Sequence, residues 1–193
     1  APPAVRCVVS GSAESGGRPM ADLVAPGLRA LIVAINPSTR SADIGYSFSS
    51  PGNPFWRLLH RSGLTPVQLE PTEEHRLLDY GLGLVSTVPR ATPSAGALSL
   101  AERRAGAARV VDTVERYRPQ VVALLGLTLY PIFFPSGASR GPGLKPDGIH
   151  GAEVYVLPNP SGRNRAYPGF ERKLAWYRDL ASHLAAGTSE GRR

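Results

Sequence analysis

The stretch LIVAINPS, residues 31–38, decides the fold. It opens as an unbroken apolar run, which is typical of a buried β-strand, and the run stops abruptly at Asn36. The segment VYVLPNPSG, residues 154–162, repeats this construction and stops at Asn159. The carboxyl ends of parallel strands lie at one edge of a sheet, so we expect Asn36 and Asn159 to face one crevice. The alternative is that each Asn-Pro pair only begins a turn.

The rest of the chain alternates between predicted strands and predicted helices. This order favours a parallel sheet whose two faces are covered by right-handed crossover connections, that is, one α/β domain. The predicted strands are residues 30–35, 83–88, 120–125 and 153–157. The predicted helices are residues 53–62, 72–80, 98–118, 127–134 and 170–186, and residues 136–150 have the composition of a Gly-, Pro- and Ser-rich loop.

Two of the predicted helices carry start signals. Thr72 is expected to cap the second helix, with acidic residues in its first turn. Ser99 and Glu102 have the spacing of a capping box at the start of the long third helix. Three arginines of that helix are interpreted as its solvated face: Arg103, Arg104 and Arg109.

The length of 193 residues fits one domain of ordinary size. We expect residues 1–19 to form a flexible lead-in, residues 20–187 to form the domain and residues 188–193 to fray. The single cysteine excludes a disulfide framework, and the four histidines lack metal-ligand spacing, so no metal site is expected. No apolar run is long enough to span a bilayer, and we expect a cytoplasmic protein without a membrane partner.

The charged residues favour a polyanionic partner. Lys and Arg together number 22 against 15 Asp and Glu, which gives a formal net charge of +7. Lys145 and Lys173 are the only lysines, so the other cations are arginines. The planar guanidinium group suits phosphates and base edges, although an arginine-rich composition also arises from coding bias.

Two blocks, PGLRALIVAINPSTRSADIGYSFSSPGNPFW at residues 26–56 and VLPNPSGRNR at residues 156–165, resemble the mismatch-specific uracil-DNA glycosylases, relatives of the thymine-DNA glycosylases. The resemblance is looser between the blocks and covers about residues 22–184. It implies a three-layer α/β/α sandwich around a short, mostly parallel central sheet. It also implies a monofunctional glycosylase that flips uracil, including uracil mispaired with guanine, out of double-stranded DNA. The N-glycosidic bond would be hydrolysed without metal or cofactor.

The resemblance places Asn36 at the catalytic position. An amide cannot take up a proton as a carboxylate can, so its role would be to orient a water through its side-chain oxygen. The base must then leave as an anion, stabilised by main-chain donors near Ile35 and Phe48. Because a missing general base typically costs about 10²–10⁴ in rate, we expect a slow enzyme. The alternative is that Asp43 acts as the base.

The resemblance also assigns the walls of the base pocket. The ring of Phe48 would stack on the flipped base, the alternative being an ordinary core phenylalanine. Tyr46 would help to shape the same wall. Ser41 would lie beside the C5 position of uracil and leave little room for the methyl group of thymine. Asn159 would approach the base from the other side.

A second set of residues is assigned to the DNA surface. Arg163 stands where relatives commonly have a leucine that wedges into the gap left by the base. A guanidinium group can fill the stack or donate to an opposing guanine or to phosphate, the alternative being a solvated loop cation. The full set is Ser38, Arg40, Ser161, Gly162, Arg163, Asn164 and Arg165. Further cations expected near DNA are Arg57, Arg61, Arg90 and Arg140.

The implied partner is double-stranded DNA that contains uracil or a related lesion. We expect the protein to be a monomer and to be associated with the nucleoid through DNA. Enzymes that process abasic sites would act next. Two alternatives stay open: a sibling glycosylase for other damaged bases, such as exocyclic cytosine adducts or hypoxanthine, and a lesion-binding module without hydrolysis. A general nucleotide-binding protein is disfavoured, because neither GxGxxG nor GxxxxGK[ST] follows a predicted strand.

Overall fold

The computed structural model describes residues 6–7, 20–137, 140–162 and 166–190. Its strands are β1 (Arg6–Cys7), β2 (Asp22–Leu23), β3 (Ala30–Ala34), β4 (Leu82–Ser86), β5 (Val121–Leu125), β6 (Gly143–Ile149) and β7 (Ala152–Leu157). Within the described residues these strands form one sheet in the order β1-β2-β4-β3-β5-β7-β6. Its centre, β4-β3-β5-β7, is parallel, and the flanking pairs on both sides are antiparallel.

The parallel centre brings four strand ends to one edge of the sheet. Ala34 of β3 pairs with Ser86 of β4, and Leu125 of β5 pairs with Leu157 of β7. Every residue of β3 and β5 is buried, because helices cover both faces of the sheet. The loops that leave these four strands therefore meet at the carboxyl edge, as the two Asn-Pro segments predict.

The helices complete the layers on either side of the sheet. They are α1 (Thr39–Ile44), α2 (Phe55–Arg61), α3 (Leu100–Tyr117), α4 (Tyr130–Phe133) and α5 (Phe170–Glu190), with 3₁₀ helices at Pro71–Tyr80 and Ala95–Ala97. On one face α2, α5 and the longer 3₁₀ helix share a core with Ile32, whereas α3 and α4 pack with Leu31 on the other. The three-layer α/β/α architecture with a mostly parallel sheet is thus confirmed.

The expected loop at residues 136–150 is wrong, because it contains strand β6. The strand pairs with β7 alone, at the edge of the sheet, and its register shifts between Leu144 and Gly148. An edge strand tolerates Gly and Pro, since half of its backbone groups need no ladder partner. The turn-forming composition therefore concealed it.

The expected cap at Thr72 is also wrong. The segment is a 3₁₀ helix that begins one residue earlier, after Glu70, and the Glu70 N–H donates to Glu73 Oε2 at 3.0 Å. Pro71 at the first helical position has no N–H to satisfy, which favours this start. The capping box of α3 is confirmed: Glu102 N–H donates to Ser99 Oγ at 3.1 Å.

Three further differences concern local segments. Helix α1 was not predicted, because Ala42 is its one buried apolar residue and the segment lacks a helical apolar period. Helix α5 continues to Glu190, beyond the predicted start of fraying. Within the expected lead-in, Arg6–Cys7 pairs with Asp22–Leu23 as β1. None of the helices in the described part of the chain is long and apolar enough to cross a membrane.

Arg109 does not belong to a solvated helix face. Its guanidinium donates to Asp22 Oδ2 at 2.5 Å and to the backbone carbonyl of Ser86. Burial raises the pKa of Asp22 above its usual value, and the charge of Arg109 opposes that rise. Arg109 thereby joins α3 to β2, which carries Asp22, and to the end of β4.

Candidate active site

A cavity of about 810 Å³ opens at the carboxyl edge of the sheet. The loops that follow β3, β4, β5 and β7 all contribute to its lining, together with the segment that leads from α1 to α2. Eight residues assigned from the sequence line it: Ile35, Asn36, Ser38, Ser41, Phe48, Asn159, Ser161 and Gly162. Arg163, Asn164 and Arg165 lie outside the described residues.

Tyr46 and Arg40 are not among the residues that line the cavity. Tyr46 is half-buried just after α1, and Arg40 is exposed within that helix. Asp43, the alternative base, is also exposed on α1 and does not line the cavity. The wall expected of Tyr46 is formed by its neighbours Ser47 and Phe48.

The amide of Asn36 is held in one orientation by its nitrogen. Its Nδ2 donates to Thr92 Oγ1 at 2.7 Å, to the carbonyl of Arg90 at 3.2 Å and to that of Pro37 at 3.0 Å. Two of these partners are carbonyls, which only accept, so the nitrogen and not the oxygen must face them. No described protein group donates to Oδ1, so this oxygen is available to a ligand of the cavity that Asn36 lines.

Thr92 is the partner that sequence reasoning missed. It is buried, and its hydroxyl donates to the Ser94 carbonyl at 2.7 Å while accepting from Asn36. The two loops are joined further by hydrogen bonds from Thr87 N–H to the Ala34 carbonyl and from Thr92 N–H to the Pro37 carbonyl. The signal available in the sequence was that Thr92 follows a third predicted strand, β4, at the same sheet edge.

Phe48 has a strained backbone. Its φ is +54°, in the left-handed region, which costs a residue with a Cβ roughly 1–2 kcal/mol. Its ring stacks on Phe55 of α2 with centroids 3.9 Å apart and planes at 24°. Phe48 also lines the cavity, so its ring is both supported by the core and available to a ligand. No described group accepts its backbone N–H, which leaves a donor at this wall.

The peptide groups beside Phe48 are clamped from two sides. Ser47 N–H donates to Glu74 Oε2 at 2.8 Å, and the Ser47 carbonyl accepts from Trp56 Nε1 at 3.3 Å. Glu74 and Trp56 are both buried, one on the long 3₁₀ helix and the other on α2. These contacts hold the turn in which Phe48 adopts its left-handed conformation.

Ser41 forms part of the cavity wall and is only 3% exposed. Its hydroxyl accepts a hydrogen bond from Ser38 Oγ at 3.0 Å, and its N–H donates to the same Ser38 oxygen at 3.1 Å. Ser38 thereby caps α1 and fixes the position of Ser41 beside Asn36.

The loop after β7 is held by helix α5. Asn159 Oδ1 accepts from Ser161 N–H at 2.9 Å, which closes a tight turn. Lys173 Nζ donates to the carbonyls of Pro160 and Ser161 at 3.1 and 2.9 Å. Tyr177 Oη donates to the Pro158 carbonyl at 3.2 Å. Burial lowers the pKa of Lys173 and raises that of Tyr177.

The cations expected near DNA have varied environments. Arg57 lies over the ring of Phe170 at 4.1 Å, and so spans from α2 to the start of α5. Arg90 pairs with Glu102 on α3 at 2.6 Å. Arg40, Arg61 and Arg140 are exposed.

The cavity wall carries no ionisable side chain among the described residues. It is formed by hydroxyls, amides, aliphatic groups and one phenyl ring, so these residues offer hydrogen bonds but no proton transfer near neutral pH. In the same part of the chain, no group of three or more His, Cys, Asp or Glu could hold a metal ion.

The family comparison agrees with this geometry. A family model described as the Uracil DNA glycosylase superfamily matches residues 21–181. The match takes in the four parallel strands, the cavity that their loops form and most of α5. Such enzymes act on DNA and take part in base excision repair. The chain therefore belongs to the uracil DNA glycosylase superfamily, and its activity is that of a DNA glycosylase.

Proposed function

We propose that this glycosylase removes uracil, including uracil mispaired with guanine, from double-stranded DNA and leaves an abasic site. The observation that carries the proposal is the fixed amide of Asn36. Its nitrogen is held by Thr92 and two carbonyls, so its oxygen, to which no described group donates, is available to a ligand of the cavity, whose described wall has no ionisable group. Such an amide oxygen can accept a hydrogen bond from a water molecule, but it cannot act as a general base that removes the proton of that water.

In the proposed mechanism the bond between C1′ and N1 of the nucleotide breaks first, and both electrons go to N1. Phe48 stacks on the flipped base, and its free backbone N–H stabilises the anion. The water held by Asn36 Oδ1 then adds to C1′ of the cationic sugar. Its proton is released to the departing base or to solvent, so that charge and atoms balance without a protein base.

We further propose that the loop after β7 enters the duplex, as the resemblance implies. Ser161 and Gly162 lie at the cavity, and Arg163 would follow them into the gap left by the flipped base. A basic chain with a net charge of +7 supports a DNA duplex as the partner, and each phosphate contact would contribute about −0.9 to the salt slope. A monomer acting at one duplex site fits this arrangement.

The test is cleavage of a labelled duplex with a single G·U pair, followed by alkali, beside G·T, A·U and single-stranded uracil. We expect strand scission at uracil, most readily in the G·U duplex, and a large loss of rate in Asn36→Ala. Asn53→Ala is the matched control, because Asn53 also lines the cavity, while the one hydrogen bond of its side chain within the described residues is accepted from the Phe55 N–H. An Asn36→Ala variant as fast as the wild type would contradict the mechanism.

A second candidate is a sibling glycosylase for larger bases. The wall is rich in hydroxyl groups, which can donate or accept as the base requires. Ranking of uracil below hypoxanthine or an exocyclic cytosine adduct would favour this candidate. Binding of every duplex without scission would instead favour a lesion-binding module.

A further inference from the structure

Both lysines of this chain are buried, although all its other cations are arginines. Lys145 is 6% exposed and Lys173 is 3% exposed. Each Nζ donates to the backbone carbonyls of two successive loop residues. Lys145 donates to Arg140 and Gly141. Lys173 donates to Pro160 and Ser161 in the loop after β7. Each buried ammonium group therefore holds a loop in place through hydrogen bonds to its backbone.

A lysine at these positions has a physical reason. An ammonium group is compact and directs its protons at separate acceptors, whereas a guanidinium group presents a flat fork that needs more space. Within the described residues no carboxylate lies within 4 Å of Lys173 Nζ, so two carbonyl oxygens compensate for its burial. A buried charge without an ionic partner is costly, and burial accordingly lowers its pKa.

The carbonyls that Lys173 holds belong to the loop that we assign to the duplex. The contacts to Pro160 and Ser161, at 3.1 and 2.9 Å, act together with the contact of Tyr177 to Pro158. Three of the four residues 158–161 are thereby bound to α5, through two side chains that lie one helical turn apart, Lys173 and Tyr177. Because Ser161 and Gly162 line the cavity, the ammonium group of Lys173 holds the backbone of the loop where the loop reaches the cavity.

We propose that Lys173 is a positioning residue, whose ammonium group holds the loop at 158–162 in the conformation that enters the DNA duplex. The inference rests on the proposed function of that loop. It does not assign Lys173 to the chemical step, since Lys173 does not line the cavity. Loss of the ammonium group should therefore impair opening of the duplex and leave bond cleavage in an already open site nearly intact.

The test compares Lys173→Met with Lys145→Met, a matched control that removes the other buried lysine from a different loop. The probe is a duplex that carries a tetrahydrofuran abasic analogue next to 2-aminopurine, whose fluorescence rises when a side chain disturbs the stack. For Lys173→Met we expect weaker binding by at least about tenfold, the scale of one hydrogen bond to a charged group, and loss of the fluorescence rise. Lys145→Met should keep both.

A second measurement separates positioning from general damage. Single-turnover excision is compared between G·U and uracil opposite an abasic analogue, where no pair must be opened. The expected result for Lys173→Met is a loss of at least about tenfold on G·U, with a much smaller loss on the open substrate. Equal losses on both substrates, or equal effects of the two lysine variants, would overturn the inference. Lys173→Arg should not restore the wild-type ratio, and full restoration would refute the need for an ammonium group.

The binding readout does not depend on excision of uracil. Absence of scission in the wild type would contradict the proposed function alone, whereas a fluorescence rise that survives in Lys173→Met would contradict the role of Lys173 alone. Thermal unfolding of both methionine variants shows that each remains folded at the assay temperature.

Discussion

Replacement of Thr92 by Val should slow excision without preventing folding. Val has nearly the same shape as Thr but removes two hydrogen bonds, the one from Asn36 at 2.7 Å and the one to Ser94 at 2.7 Å. A net contribution of about 0.5–1.5 kcal/mol for each bond gives about 1–3 kcal/mol in all. The Asn36 amide keeps its carbonyl partner at Arg90, so no buried donor is left unsatisfied, but its orientation is no longer enforced by a hydroxyl.

If about 1.4 kcal/mol of that loss falls on the transition state, the single-turnover rate should fall about tenfold. The assay is excision from a G·U duplex at saturating enzyme, so that the rate reports the chemical step rather than binding. Thr92→Ser keeps the hydroxyl and should retain most of the rate. Wild-type rates in Thr92→Val, with the loss of stability confirmed by thermal unfolding, would refute the idea that Thr92 orients the catalytic amide.

Two other changes test the scaffold. In Gly106→Ala the new Cβ would lie 2.2 Å from the Thr87 carbonyl oxygen, so α3 must shift and we expect a loss of about 1–3 kcal/mol in thermal unfolding. Gly187→Ala is the control: it lies in helix α5, its new Cβ would have no neighbouring atom within 4 Å, and the change should be neutral or stabilising. Unchanged stability in Gly106→Ala would contradict the tight packing of α3 against Thr87. The pKa of Glu102 is lowered to about 2, chiefly by the hydrogen bond from the Ser99 N–H. The contribution of the Glu102 carboxylate to the free energy of unfolding is therefore complete above about pH 4.5. That contribution should be lost as the pH falls through about 2; unfolding curves of Glu102→Gln should lack this component, and identical pH dependence in both proteins would argue against it.

The parallel centre of the sheet could be predicted because its strands are apolar without interruption. Burial on both faces removes the alternation of polar residues, so the runs in β3 and β5 stand out in the sequence. The edge strand β6 has no such requirement, and its Gly and Pro residues resemble those of a loop. Helix α1 is held by the hydroxyl of Ser38 rather than by an apolar stripe, so periodicity offers no sign of it.

From the residues alone, the candidate site could be predicted only where it follows the strands directly, whereas Ser41 and Phe48 are assigned through the resemblance. Asn36 and Asn159 follow the strands in this way, and the structure places both at one cavity. The groups that orient them are remote in sequence: Thr92 lies 56 positions from Asn36. Glu74 lies 27 positions from Ser47, and no pattern in its own segment predicts that the two residues are in contact. Such contacts follow from the packing of loops and have no signature in a single segment.

A wall without ionisable groups also determines which bases can leave. No described residue of the cavity can protonate a departing base, so the base must itself carry the negative charge that forms as the bond to the sugar breaks. The excision rate should therefore rise with the acidity of the released base: 5-fluorouracil, whose ring nitrogen is more acidic and whose substituent is small, should leave faster than uracil. The rate should also change little between about pH 6 and 8, since Asn36 does not titrate. Single-turnover rates on matched G·U and G·5-fluorouracil duplexes measure both effects. Equal rates for the two bases, together with a rate that falls as the pH rises, would show that a protonated group assists departure of the base and would contradict a mechanism without a protein acid.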